Sequence, residues 1–167
     1  MADEVPKLKK LTAEGVTAAL DKADHYRLLN EPEAAESIYL DVLAVEERNT
    51  RALRGIVLAI TDQFNASSGA QRLARAKNYA RKLPSSYEQA YLLGLICERE
   101  AKGYLMRGMS SGFAYEGFRA AMEHYEEAEK LRTVGDDDPI LRFNSCVRLI
   151  EQHHLRPRTR DSELPLE

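Results

Sequence analysis

Four histidines, two cysteines and an uneven distribution of arginine carry the chemistry on offer in this 167-residue sequence. The histidines are His25, His124, His153 and His154. Glu151 and His154 form one Glu-x-x-His pair, a spacing that di-iron bundles use twice and supplement with further glutamates. Three residues before His124 stands Ala121, so a second pair is missing. His153 and His154 equally suit a helix end, where a cation complements the dipole. A helical metalloprotein thus rests on a single pair, and no metal ligand or cofactor is assigned. Cys97 and Cys146 lie far apart in apolar helical surroundings. They read as core thiols rather than as a disulfide or a reactive thiol. Neither a phosphate-binding P-loop nor a dinucleotide glycine fingerprint is present. Nucleophile–base pairs assemble in space, and no spacing here singles one out. The expectation is a protein without enzymatic activity.

Lys and Arg total 24 against 27 Asp and Glu, a net charge of −3, which disfavours a strongly basic nucleic-acid binder. That total hides a segregation. Residues 51–82 hold 7 basic and 1 acidic side chains, net +6, whereas residues 1–50 are net −5. The positive block comprises Arg51, Arg54, Arg72, Arg75, Lys77, Arg81 and Lys82. It reads as a solvated face balanced by acidic neighbours, as a site for an acidic peptide, or as an RNA surface. Its interleaved aromatic, Tyr79, is turned inward by the helical pattern, so platforms for base stacking are missing. Met1 to Lys10 is polar and lacks the apolar core of a signal peptide. No apolar run approaches the roughly 18 residues that cross a bilayer. A cytoplasmic location without membrane insertion is expected.

Helices must position these residues. Ala and Leu occur 21 times each, and Val, Ile and Thr together only 19 times. Ala and Leu lose little freedom on entering a helix, while β-branched side chains lose more. The fold class expected is all-α. Apolar periodicity predicts seven helices. The first runs from Thr12 to Leu29. A second is capped by Asn30 and carries Ala35, Ile38, Tyr39, Val42 and Val45 inward. A third spans Thr50 to Gln63. Asn65 to Gly69 reads as a loop, and a fourth helix follows to Leu83. Ser85 and Glu88 form a capping-box pattern that opens a fifth helix, extending towards Met109. The sixth runs from Phe113 to Arg132 and the seventh from Asp138 to His154. Residues 1–11 are expected to be a flexible segment, 12–154 a single domain, and 155–167 a disordered tail.

The second, fourth and sixth helices share a pattern. Ala35 and Tyr39 match Ala121 and Tyr125 at the same spacing, and Ala76 and Ala80 hold those slots in the fourth helix. With Tyr26 before the first tract and Leu93-Gly94 before the last, the chain resembles the tetratricopeptide repeat (TPR) family. The stretch Asp137 to Asn144 is similar to the tail of small bacterial TPR proteins. The resemblance spans about Val16 to Pro139. It implies a helix–turn–helix repeat solenoid of three TPR-like hairpins, closed by a C-terminal capping helix. The chain departs from the family in two ways. It has no tryptophan, and its matching alanines are 41 and 45 residues apart, against a usual period of about 34.

In that family the first helix of each hairpin lines the concave surface. The resemblance therefore implies a partner-binding groove formed by Asp24, Arg27, Arg51, Arg54, Leu58, Tyr91, Leu95 and Arg99. Arginines there would pair with carboxylates of a peptide, and Leu58, Tyr91 and Leu95 would supply apolar contact. The clamp with which some members hold a chaperone's tail does not fit, because Leu20, Asp24 and Glu88 stand at its positions. Tyr104, Met106 and Met109 lie where the spacing departs most. They form either a docking edge, since methionine adapts to recognition surfaces, or packing onto the last two helices. The function implied is a non-enzymatic adaptor that binds a peptide or helix of another protein, acidic partners included. The alternative is a secretion-type chaperone, which the chain resembles in size, acidity and architecture. Self-association through stacked ends is a further expectation.

Overall fold

The computed structural model describes residues 5–65 and 69–158. Among these it contains seven helices and no strand. They are α1 (Val16–Leu28), α2 (Pro32–Val45), α3 (Thr50–Asp62), α4 (Ala70–Arg81), α5 (Ser86–Met106), α6 (Ser111–Leu131) and α7 (Asp138–Gln152). A short 3-10 turn, Ala13–Gly15, leads into α1, and the Thr12 hydroxyl accepts the Gly15 N–H at 3.2 Å. Asn49 caps α3 by accepting the Ala52 N–H at 2.9 Å. Ser85 caps α5 by accepting the Glu88 N–H at 3.3 Å. The Glu88 carboxylate takes Arg54 of α3, so only half of the expected capping box forms. Residues 66–68 of the expected loop, and residues 1–4 and 159–167 of the two expected flexible ends, lie outside the described residues.

Three helices end in one motif. The Glu31 N–H reaches back to the Tyr26 carbonyl and the Asn30 N–H to that of Arg27. This is the Schellman arrangement, which needs a residue at positive φ. Asn30 supplies it at φ 59°. Asn30 therefore terminates α1, and the expectation that it caps α2 is corrected. Asparagine tolerates the left-handed region because its short polar side chain bonds locally. Gly108 plays the same part for α5 and His154 for α7. At φ 51° His154 has left the helix, so Glu151 and His154 no longer share a helical face. Leu155, placed by the sequence at the start of the tail, follows it and is 3% exposed, packed into the core.

Consecutive helices pack on one another, most extensively α5 on α6. In addition α1 touches α3, and α3 touches α5, so these three helices lie side by side. The core falls into two clusters that divide along α5. The first holds Leu20, Tyr39, Ile56, Ile60, Leu92 and Ile96 among others. The second holds Cys97, Ala101, Phe118, Tyr125 and Cys146. The repeated alanine–tyrosine pair sits at the centre of each: Ala35, Tyr39, Ala121 and Tyr125 are completely buried. Each tyrosine ring fills a space left by a glycine. Tyr39 lies over Gly55 of α3, and Tyr125 over Gly94 of α5.

Candidate functional site

The hydroxyls of the two buried tyrosines start the polar structure of the odd-numbered helices. The Tyr39 hydroxyl donates to Asp24 on α1, and Asp24 accepts Arg51 of α3 at 2.6 Å. The Tyr125 hydroxyl donates to Glu98 on α5 at 2.6 Å, and Glu98 accepts Arg142 of α7 at 3.4 Å. In both cases a tyrosine, a carboxylate and an arginine come from three different helices. The middle hairpin has Ala80 in the tyrosine slot. There Asp62 of α3 takes Arg99 of α5 at 2.6 Å, and the Thr61 hydroxyl accepts the same Arg99 nitrogen at 2.6 Å. Arg27 of α1 also reaches Asp62, at 2.9 Å.

Between these layers runs a groove of about 480 Å³. Six of the sequence-derived groove residues line it: Arg27, Arg54, Leu58, Tyr91, Leu95 and Arg99. Asp24 and Arg51 do not, because Arg51 is drawn to Asp21 and Asp24. Sequence reasoning missed Tyr87, Glu88, Leu92, Asp136, Asp138 and Arg142, which complete the lining. Tyr87 was legible in principle, one turn before Tyr91 on the same face of α5. The two rings stack with centroids 6.2 Å apart. Asp136 and Arg142 arrive through the α6–α7 turn and α7, which no local pattern connects to the groove.

The arginines offered by the sequence to an incoming acidic peptide already hold partners within the chain. Arg51 pairs with Asp21 and Asp24, Arg54 with Glu88, and Arg27 and Arg99 with Asp62. Of the basic block, Arg75 also pairs with Glu36. Burial lowers the affinity of Arg99 for its proton; Asp62 opposes this, and the nearby Arg27 and Arg142 add to it. Burial and the bond to Asp136 raise the Tyr87 hydroxyl above its ordinary pKa, and its one O–H is held by the Asp136 carboxylate. The lining contains no histidine, cysteine or serine among the described residues. It combines an apolar and aromatic floor of Leu58, Tyr91, Leu92 and Leu95 with charged side chains from α1, α3, α5 and α7.

The remaining candidates lie elsewhere. Met106 is 68% and Met109 42% exposed at the end of α5. Tyr104 is half-buried, donates to Glu100 at 2.8 Å and lies against Phe113 of α6, 5.8 Å between centroids. The expected edge is thus divided, with the methionines outward and the tyrosine packed on α6. Burial pushes the Cys146 thiol up to about 12 and raises that of Cys97. Both thiols are buried and unpaired. Burial lowers the pKa of His124. No helix among the described residues is long and apolar enough to cross a membrane. Comparison with protein-family models, curated proteins and solved structures finds no match.

Proposed function

We propose that this chain is a non-enzymatic adaptor of TPR type, binding a short peptide or helix of a partner protein in the groove between the odd-numbered helices. One observation carries the reading: a concave site floored by Leu58, Tyr91, Leu92 and Leu95 and rimmed by charges from four helices. Concave, mostly apolar sites with a few oriented polar groups are where ligands dock. The adjacency of α1, α3 and α5 supports the repeat reading. So does the recurrence of the tyrosine–carboxylate–arginine unit, in which α7 takes the part relative to α5 that α3 takes relative to α1.

The test is selection from a randomised short-peptide library against the wild-type chain, with variants as discriminators. Leu58→Gln and Tyr91→Ala remove apolar floor at half-buried positions. Enriched peptides are expected to bind each variant about ten-fold more weakly, the loss of roughly one buried apolar side chain. Peptides that bind wild type and both variants alike would move the site elsewhere. Failure to enrich any peptide would overturn the adaptor reading.

A further inference from the structure

A count of charges across the groove shows where its pairing is incomplete. At the Arg51 end, one guanidinium faces two carboxylates, Asp21 and Asp24. Arg54 faces Glu88. At the other end the ratio reverses. Arg27 and Arg99 share the single carboxylate of Asp62, and Lys102 and Arg142 share that of Glu98. Four cations from α1, α5 and α7 thus stand against two carboxylates, and Glu98 is completely buried with no exposed oxygen to offer a ligand. All four cations line one polar recess of about 420 Å³, with Thr61 and Asn30. Three of them, Arg27, Arg99 and Arg142, also line the apolar groove, so the two spaces share a wall.

We propose that this recess receives a carboxylate of the bound partner, carried on an acidic residue next to the apolar residue that fills the groove. The inference rests on the peptide-binding reading above and adds the chemistry of the peptide. Two uncompensated positive charges in a concave, low-dielectric wall favour an anion. Donors are available to meet it. Arg27 spends only its Nε on Asp62. Arg142 spends Nε on the Tyr91 hydroxyl and one amino group on Glu98, both at 3.4 Å. A guanidinium presents further N–H groups in a fixed fork that suits a carboxylate. Orientation follows as well. Asp136 and Asp138 stand at the Tyr87 side of the groove and repel an acid there. The acidic residue must therefore lie towards Arg27 and Lys102, and the apolar one over Tyr91 and Leu58.

The experiment uses the peptides enriched on the wild-type chain and dependent on Leu58 and Tyr91. Each is remade with its acidic residues changed to the matching amides and titrated by fluorescence anisotropy. The amide peptides are expected to bind about ten-fold more weakly, the scale of one charge-assisted hydrogen-bonded contact. On Asn30→Asp the preference for the acid over the amide peptide should shrink. That exposed rim position at positive φ accepts aspartate, and the new charge offsets half of the excess without breaking an ion pair. Arg27→Gln should act in the same direction, with its fold checked by circular dichroism. Groove-dependent peptides without acids, or an acid-to-amide ratio near one, would overturn this inference and leave the adaptor reading standing. Inorganic phosphate displacing the peptides far more strongly than acetate would reassign the recess to a phosphate group and overturn it too.

Discussion

At the scale of single residues, Tyr39 and Tyr125 look interchangeable, since both are completely buried and both donate to a carboxylate. Their acceptors differ. The Asp24 side chain is 42% exposed, so water replaces a lost donor. Glu98 is fully buried, and its remaining partners are Lys102 and Arg142, the latter at 3.4 Å. A buried acceptor deprived of its donor costs about 1–3 kcal/mol, more where it is charged, whereas a solvated one costs little. Tyr125→Phe should therefore lower unfolding stability by about 2 kcal/mol and Tyr39→Phe by less than about 1 kcal/mol. Urea denaturation of the two variants measures this. Equal losses would show that water reaches Glu98.

At the scale of helices, the contact between neighbours is set by glycine. A glycine inside a helix ordinarily costs about 1 kcal/mol relative to alanine, so replacing it should help. Gly94 and Gly55 reverse that sign. A Cβ on Gly94 would stand 2.7 Å from the Tyr125 ring, and one on Gly55 would overlap Tyr39. Both rings are locked in the core, and overpacking of this kind costs about 1–3 kcal/mol. Gly94→Ala and Gly55→Ala should each destabilise the chain. Pairing Gly55→Ala with Tyr39→Leu should recover part of the loss, because the smaller side chain vacates the space. A stabilised single variant would mean that the rings move at little cost. The helix ends tell a related story about what a sequence reveals. Ser85 was readable as a start because a capping side chain lies three residues from its target. Asn30 was misread because asparagine serves both a start and a left-handed stop, and only the Glu31-to-Tyr26 bond separates the two. His154 carried no such signal at all.

Across the whole molecule, the all-α class and the succession of seven helices were legible because periodicity is local. Leu58, Tyr91, Leu95 and Arg99, which the family resemblance put together, do line one groove. The acids that neutralise it were not legible, since Asp62 meets Arg27 and Glu98 meets Arg142 only after distant helices have docked. Those long-range bonds bear on how the chain unfolds. Arrays whose units touch only their neighbours can come apart segment by segment, and the core here is split in two. Yet the two clusters meet within one turn of α5, where Leu95 and Ile96 belong to the first and Cys97 to the second. Adjacent side chains there face opposite ways. Arg99 grips Asp62, Thr61 and the Leu58 carbonyl of α3, while Glu98 holds Tyr125 of α6 and Arg142 of α7. Loosening one side of α5 must disturb the other. The chain should thus unfold in a single urea transition, with far-ultraviolet circular dichroism and tyrosine fluorescence coinciding. Arg99→Gln should weaken amide-exchange protection in α6 and α7 as well as in α3. Separate transitions, or protection lost in α3 alone, would show that the two halves are independent units joined by a passive helix.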